Sequence, residues 1–150
     1  MEKAKESKKT INSFVEGPIK PEFISQSIAK HSSKKDIGGH NIFLGQVRND
    51  IIEGKKVIAI DYTSYQEMAE KEISNIREDV FEKFDLTCLH IYHSLGRVNA
   101  GEISLFVFAS SQHRDECYAA SRYIVEEVKS RVPIFGKEVL EDGSHVWKEN

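Results

Sequence analysis

The chain has 150 residues, 39% of them apolar and 30% charged, with a net charge of -3. That balance fits one globular domain with a real core, and it excludes a disordered, fibrous or strongly basic polypeptide. No run approaches the roughly 20 apolar residues of a membrane span, so no membrane contact is expected.

Residues 1–16 read as a flexible N-terminal tail ahead of a single domain over 17–150. Met1 to Thr10 is rich in Lys and Glu and lacks the apolar centre that a secretory signal requires, which points to the cytoplasm. Pro21 opens a short helix running to about Lys30, with Phe23, Ile24 and Ile28 on its apolar side. After Gly38-Gly39, a strand is expected over His40–Val47, closing on Arg48-Asn49-Asp50. Residues 51–56 read as an exposed, mobile loop, and the β-branched and aromatic run Val57–Tyr65 as a strand.

Glu67–Phe84 carries the clearest helical periodicity, with Met68, Ile73, Ile76, Val80, Phe81 and Phe84 toward one side. Thr87–Tyr92 and Glu102–Ala109 read as strands, with a turn region bracketed by Gly96 and Gly101. In the second of these, Ile103, Leu105 and Val107 alternate with Phe106 and Phe108, which predicts a strand covered on both faces. A second long helix is expected over about Asp115–Arg131, with Tyr118, Ile124, Val125 and Val128 as its apolar surface and Pro133 beyond its end. Lys137–Leu140 and His145–Lys148, joined by Glu141-Asp142-Gly143-Ser144, form a terminal hairpin. The class is α+β: two long helices packed on a mixed or antiparallel sheet, with a C-terminal hairpin.

Cys88 and Cys117 are too few for a disulfide scaffold and read as reduced core residues. Cys117 also sits in the first helical turn, where a thiol is more acidic, so a reactive role stays open. There is no compact His/Cys cluster of the kind that binds metal, and neither a metal nor a cofactor is expected.

The basic residues that stand out lie at element ends. Arg48 closes a strand before a loop, His113 and Arg114 open the second long helix, and Lys129 and Arg131 end it. Arg114 occupies the end of a helix where a cation is electrostatically disfavoured, which hints at a ligand role. Lys129 and Arg131 lie at the favourable end and have a ready explanation in helix stabilisation. At about 1.5 Å per residue, Arg114 and Lys129 stand on the order of 22 Å apart, too far for one small pocket. Either the chain has two sites, or a second copy brings its His113-Arg114 end to Lys129. Because the basic residues are interleaved with acids, a nucleic-acid surface is not expected.

Five blocks occur in order: Gly45-Gln46-Val47-Arg48-Asn49, Leu95-Gly96 with Gly101-Glu102, Ser110-Ser111-Gln112-His113-Arg114, Lys129-Ser130-Arg131-Val132-Pro133-Ile134-Phe135, and Lys137-Glu138. Together they resemble the large, catalytic subunit of molybdopterin synthase, the MoaE family, over nearly the whole chain. The resemblance implies an alpha/beta-hammerhead fold. It also implies a sulfurtransferase that builds the dithiolene of molybdopterin on cyclic pyranopterin monophosphate. The sulfur donor it implies is the thiocarboxylated Gly-Gly C-terminus of a small ubiquitin-like, MoaD-like carrier. The implied assembly is a homodimer within a heterotetramer, with the His-Arg pair supplied by the neighbouring subunit.

On that resemblance Arg48, His113 and Arg114 hold the substrate phosphate and Lys129 is the essential lysine. Arg131 lines the approach of the carrier tail or supports the pocket, and Glu138 orients a lysine. The family's second lysine, however, aligns with Gly136 in this chain. Lys137 is the nearest substitute and is expected to take the role if the backbone bulges at Gly136. Two alternatives stay open: activity resting on Lys129 alone, or a non-catalytic, regulatory subunit that keeps only partner binding. A phosphate-ester hydrolase is disfavoured, because no nucleophile with an adjacent base stands out.

Overall fold

A computed structural model describes residues 12–148. Its helices are α1 (Pro21–Lys30), α2 (Gln66–Lys83) and α3 (Arg114–Arg131). Its strands are β1 (Phe14–Glu16), β2 (Gly39–Gln46), β3 (Ile51–Ile52), β4 (Lys55–Ser64), β5 (Cys88–Asn99), β6 (Ile103–Ser111), β7 (Ile134–Leu140) and β8 (His145–Trp147). The sheet runs β2-β6-β5-β4-β7-β8, with β1 against β5 and β3 against β4. Every pairing of strands is antiparallel except β1 with β5, in agreement with the expected α+β class.

The long strand β5 organises the molecule. Its first half, Cys88–His93, pairs with β6, and Gly96–Asn99 pairs with β4. The expected turn at Gly96 is therefore a change of partner within a continuous strand, and the chain reverses only near Gly101. Gly96 has φ 85°, and a Cβ there would stand 2.6 Å from Glu16 Oε2, so this position requires glycine.

α2 and α3 cover one face of the β5–β6 half. Ile73, Ile76, Val80, Leu89, Val107, Ile124 and Val128 form the centre of the principal core there. Phe106 and Phe108 point the other way, onto Ile19 with Phe23 and Ile24 of α1, so β6 is covered on both faces as its sequence predicts. Ile103 departs from simple alternation and packs with the Phe106 set. The cause is a bulge: Gly45 pairs with Leu105 and Gln46 with Ile103, leaving Ser104 as an extra residue.

Several expectations need correction. The tail does not extend to residue 16, because Phe14 is buried and residues 14–16 form β1 on β5. Residues 1–11 of the expected tail lie outside the described residues. The loop expected over 51–56 is a tight hairpin, with Ile51 paired to Lys56 and Ile52 to Lys55. Met68 and Tyr118, expected on apolar helix faces, are exposed. The faces that pack are formed by Ala69, Ile73, Ile76 and Val80 in α2, and by Cys117, Ala120, Ser121, Ile124 and Val128 in α3. Cys88 and Cys117 are both free and buried, and the Cys117 thiol donates to the Arg114 carbonyl at 3.3 Å. Burial in the principal core removes the reactive-thiol option for Cys117.

Candidate active site

A cleft of about 1220 Å³ opens where β2, β4, β5, the C-terminal end of α3 and the β7–β8 hairpin converge. Each of these elements supplies a polar or ionisable group. Arg48 enters from the end of β2, Tyr62 from β4, His93 from β5, Lys129 from the last turn of α3, Glu138 from β7, and Lys148 from just after β8. The positively charged Arg48, Lys129 and Lys148 thus share the lining with the rings of Tyr62 and His93.

Lys129 is open to solvent, yet the cleft walls strip enough water from its ammonium to lower its pKa. Burial is the largest cause. The Lys148 cation adds to it, Glu126 opposes it, and Arg48 lowers it further. An ammonium so placed loses its proton more readily and meets an incoming anion with less water to displace. Arg48 is well exposed and its guanidinium donates to Asp50 at 3.1 Å, leaving further donors for a ligand.

His93 is buried, and burial pushes its pKa down to about 4. Its Nδ1 lies 2.8 Å from the Ser94 carbonyl, a bond that opposes the shift, whereas the Lys129 charge reinforces it. The ring is therefore neutral at pH 7, with Nδ1 donating and Nε2 left as an acceptor. Tyr62 packs edge-on against it, with ring centroids 4.9 Å apart. Burial raises the Tyr62 phenol pKa, a hydrogen bond with Ser104 at 3.3 Å opposes this, and the Glu138 carboxylate adds to it.

The expected residues divide into three groups. Arg48, Lys129, Arg131 and Glu138 all line this cleft. His113 and Arg114 do not. His113 caps α3 and Arg114 begins it, at the end opposite Lys129, and both are exposed. Lys137 also fails to reach the cleft, which corrects the expectation that it replaces the lysine missing at Gly136. β7 runs in regular register with β4 here: Gly136 faces Tyr62, Lys137 faces Asp61, and Glu138 faces Ile60. With no bulge, alternation sends Lys137 to the other face. There its ammonium lies 5.3 Å from the centre of the Trp147 ring.

Arg131 lines the cleft, but its guanidinium is already committed. It bonds Glu72 at 2.7 Å, Asp79 at 3.0 Å and Glu127 at 3.0 Å, which ties the end of α3 to α2. This favours the supporting role over contact with a carrier tail. Arg131→Ala is expected to lower stability by about 1–2 kcal/mol, since three carboxylates would lose their shared partner. Urea unfolding checks this, with turnover per folded molecule within about threefold of wild type; a larger loss of turnover at full folding would restore a direct role for Arg131.

His93, Tyr62 and Lys148 were not singled out from sequence. Tyr62 lies within a strand expected from sequence, and His93 just beyond the end expected for Thr87–Tyr92, in a strand that runs on to Asn99. Lys148 is recognisable only once the hairpin register is known.

The family model for the MoaE protein matches residues 16–131. The chain is 35% identical over 150 residues to the molybdopterin synthase catalytic subunit of Bos taurus, covering all of this chain and 77% of the relative. It is 40% identical over 126 residues to the same-named subunit of Pyrococcus abyssi, covering 84% and 83% of the two chains. The structure of molybdopterin synthase from Staphylococcus aureus superposes with a TM-score of 0.80 at 30% identity, covering 92% of this chain and 96% of that one. A complex of subunits 1 and 2 of the molybdopterin-converting factor from Helicobacter pylori has the same fold, with a TM-score of 0.77 at 15% identity, covering 92% and 90%. The matched length, the fold and the agreement between relatives lead to one conclusion: this chain belongs to the MoaE family of molybdopterin synthase catalytic subunits.

Proposed function

We propose that the chain transfers sulfur from the thiocarboxylated C-terminus of a small ubiquitin-like carrier to cyclic pyranopterin monophosphate, forming the dithiolene of molybdopterin. The observation that carries this reading is Lys129, a desolvated cation in a cleft large enough for a pterin phosphate and an extended peptide tail. Arg48 offers paired donors to a phosphate. Lys129 faces the negative charge that develops as sulfur is transferred, and a cation in a partly dry cleft stabilises that charge far better than one in bulk water. The carrier's thiocarboxylate supplies the sulfur and the pterin supplies the carbons that accept it, so the reading needs no cofactor. The relatives' names support it, and the two-subunit complex of the Helicobacter pylori protein supports a small carrier partner.

The distance between the ends of α3 extends the proposal to assembly. His113 and Arg114 belong to the site only if a second subunit delivers them, so the working unit is a homodimer, with a carrier at each site making a heterotetramer. The decisive assay supplies thiocarboxylated carrier and cyclic pyranopterin monophosphate to the full chain and measures dithiolene. No product from the wild-type protein would leave the partner-binding, non-catalytic reading in its place.

A mixing experiment tests the shared site. Lys129→Ala and Arg114→Ala proteins should each be nearly inactive, and equal mixtures allowed to exchange subunits should recover about a quarter of the wild-type sites. Half the dimers would then be mixed, each with one intact site. Failure to recover activity despite demonstrated exchange would place Arg114 outside the site.

A further inference from the structure

The terminal hairpin contributes Gly136, Glu138, Trp147 and Lys148 to the same cleft as Lys129. Lys137 pairs with Trp147 and Glu138 with Val146, and the ladder continues as the Lys148 amide donates to the Gly136 carbonyl at 2.8 Å. Gly136 and Lys148 are thus directly opposite and on the same face, the one that lines the cleft. Lys137 lies on the other face against the ring of Trp147, a residue that also contributes to the cleft lining. The space beside Gly136 is already bounded: a Cβ added there would meet Ile60 Cγ2 at 3.0 Å, Tyr62 Cε1 at 3.4 Å and the Lys148 Cβ at 3.6 Å. What position 136 does not send into the cleft, its cross-strand neighbour does.

Lys148 is only partly exposed, and among the described residues neither it nor Lys129 has an ion-pair partner. Glu126 and Glu138 line the same cleft but neither forms an ion pair with these ammonium groups, whose mutual repulsion opposes folding and would be relieved by an anion bound between them. After burial, Lys148 is the foremost group holding down the Lys129 pKa, ahead of Arg48.

We propose that Lys148 is the second ammonium of the active site, contacting the anionic substrate beside Lys129 where charge builds during transfer, in the place expected of Lys137. The inference rests on the sulfur-transfer reading above. No covalent step is required of Lys148. Its stem is fixed by the backbone bond to Gly136, and its charge stays in place while the reacting centre becomes negative.

The test uses the full chain with thiocarboxylated carrier and cyclic pyranopterin monophosphate. Lys148→Met, which keeps the length of the stem, should lower kcat by about tenfold or more with little change in KM. Lys148→Arg, which keeps the charge, should stay within about threefold of wild type, and Lys137→Met within about twofold. A second readout separates charge from structure. In Lys148→Met the Lys129 ammonium, followed by side-chain NMR, should titrate at higher pH, because a neighbouring cation has gone. Lys137→Met should leave that titration unmoved. Full activity in Lys148→Met, or an unshifted Lys129 titration, overturns the assignment while leaving sulfur transfer standing. A wild-type chain that forms no dithiolene overturns sulfur transfer itself, and the role of Lys148 with it.

Discussion

Lys129→Ala is expected to reduce dithiolene formation by about 100-fold or more while the protein stays folded. The size follows from the job proposed for the ammonium: one preorganised charge facing a developing anion contributes a few kcal/mol to the barrier when water is partly excluded. Stability should change by less than about 0.5 kcal/mol. The sign of the pKa shift explains why. Lys129 is harder to protonate in the folded protein than in the unfolded chain, so at neutral pH its charge detracts from stability, and the deficit shrinks as pH rises through the folded pKa. Removing the charge therefore relieves a small cost. Measured turnover within about threefold of wild type would return Lys129 to the role of a helix-end cation.

Acidification should destabilise the protein through His93. In the unfolded chain this ring takes a proton near pH 6.5, whereas in the fold burial holds it neutral down to about 4. Between those values the unfolded state binds more protons, so stability is fully present above about pH 6.5 and is lost as pH falls toward 4. A gap of this size amounts to roughly 3 kcal/mol, a large share of a small domain's margin. The window lies above the range in which Asp61 and Asp142 lose their contributions, because their partners hold both carboxyls below the usual carboxylate range. Urea midpoints measured from pH 7 to 4.5 check this against His93→Gln, whose midpoints should fall less steeply. Parallel curves for the two proteins would show that another group governs acid stability.

The fold was legible wherever a pattern needed only its own segment. The two-faced alternation of β6 and the long helical periods of α2 and α3 translate directly into elements. The packed faces were harder to read, because weight was given to large apolar residues. α3 packs with Cys117, Ala120 and Ser121 inward, since small side chains let a helix lie close to the sheet, and Tyr118 is left outside. In the site, Arg48, Lys129 and Glu138 could be named from their blocks, but Lys137 could not be placed without the β7–β4 register, nor Lys148 without that of the hairpin. A four-residue loop over 141–144 would set Lys137 opposite Lys148. Instead the Leu140 amide donates to the Ser144 carbonyl at 2.8 Å and Gly143 adopts φ 89°, which makes a three-residue loop. That single-residue difference decides whether Lys148 faces the cleft.

The change of partner along β5 has a consequence for how the molecule comes apart. Within the sheet, among the described residues, β5 is the strand that pairs with both the β2–β6 half and the β4–β7–β8 half, and the two are not equally secured. The principal core lies under the first, whereas the second has the smaller cluster of Val47, Ile60 and Val98, with Val57, Ala59, Val139 and Leu140 also buried, and ends in an edge strand of three residues. Opening is therefore expected to begin at the terminal hairpin, at a free energy below that of global unfolding. The cleft spans this seam, so the protein loses its chemistry while most of its structure is intact. Proteolysis or heat would then silence the enzyme before it melts the fold.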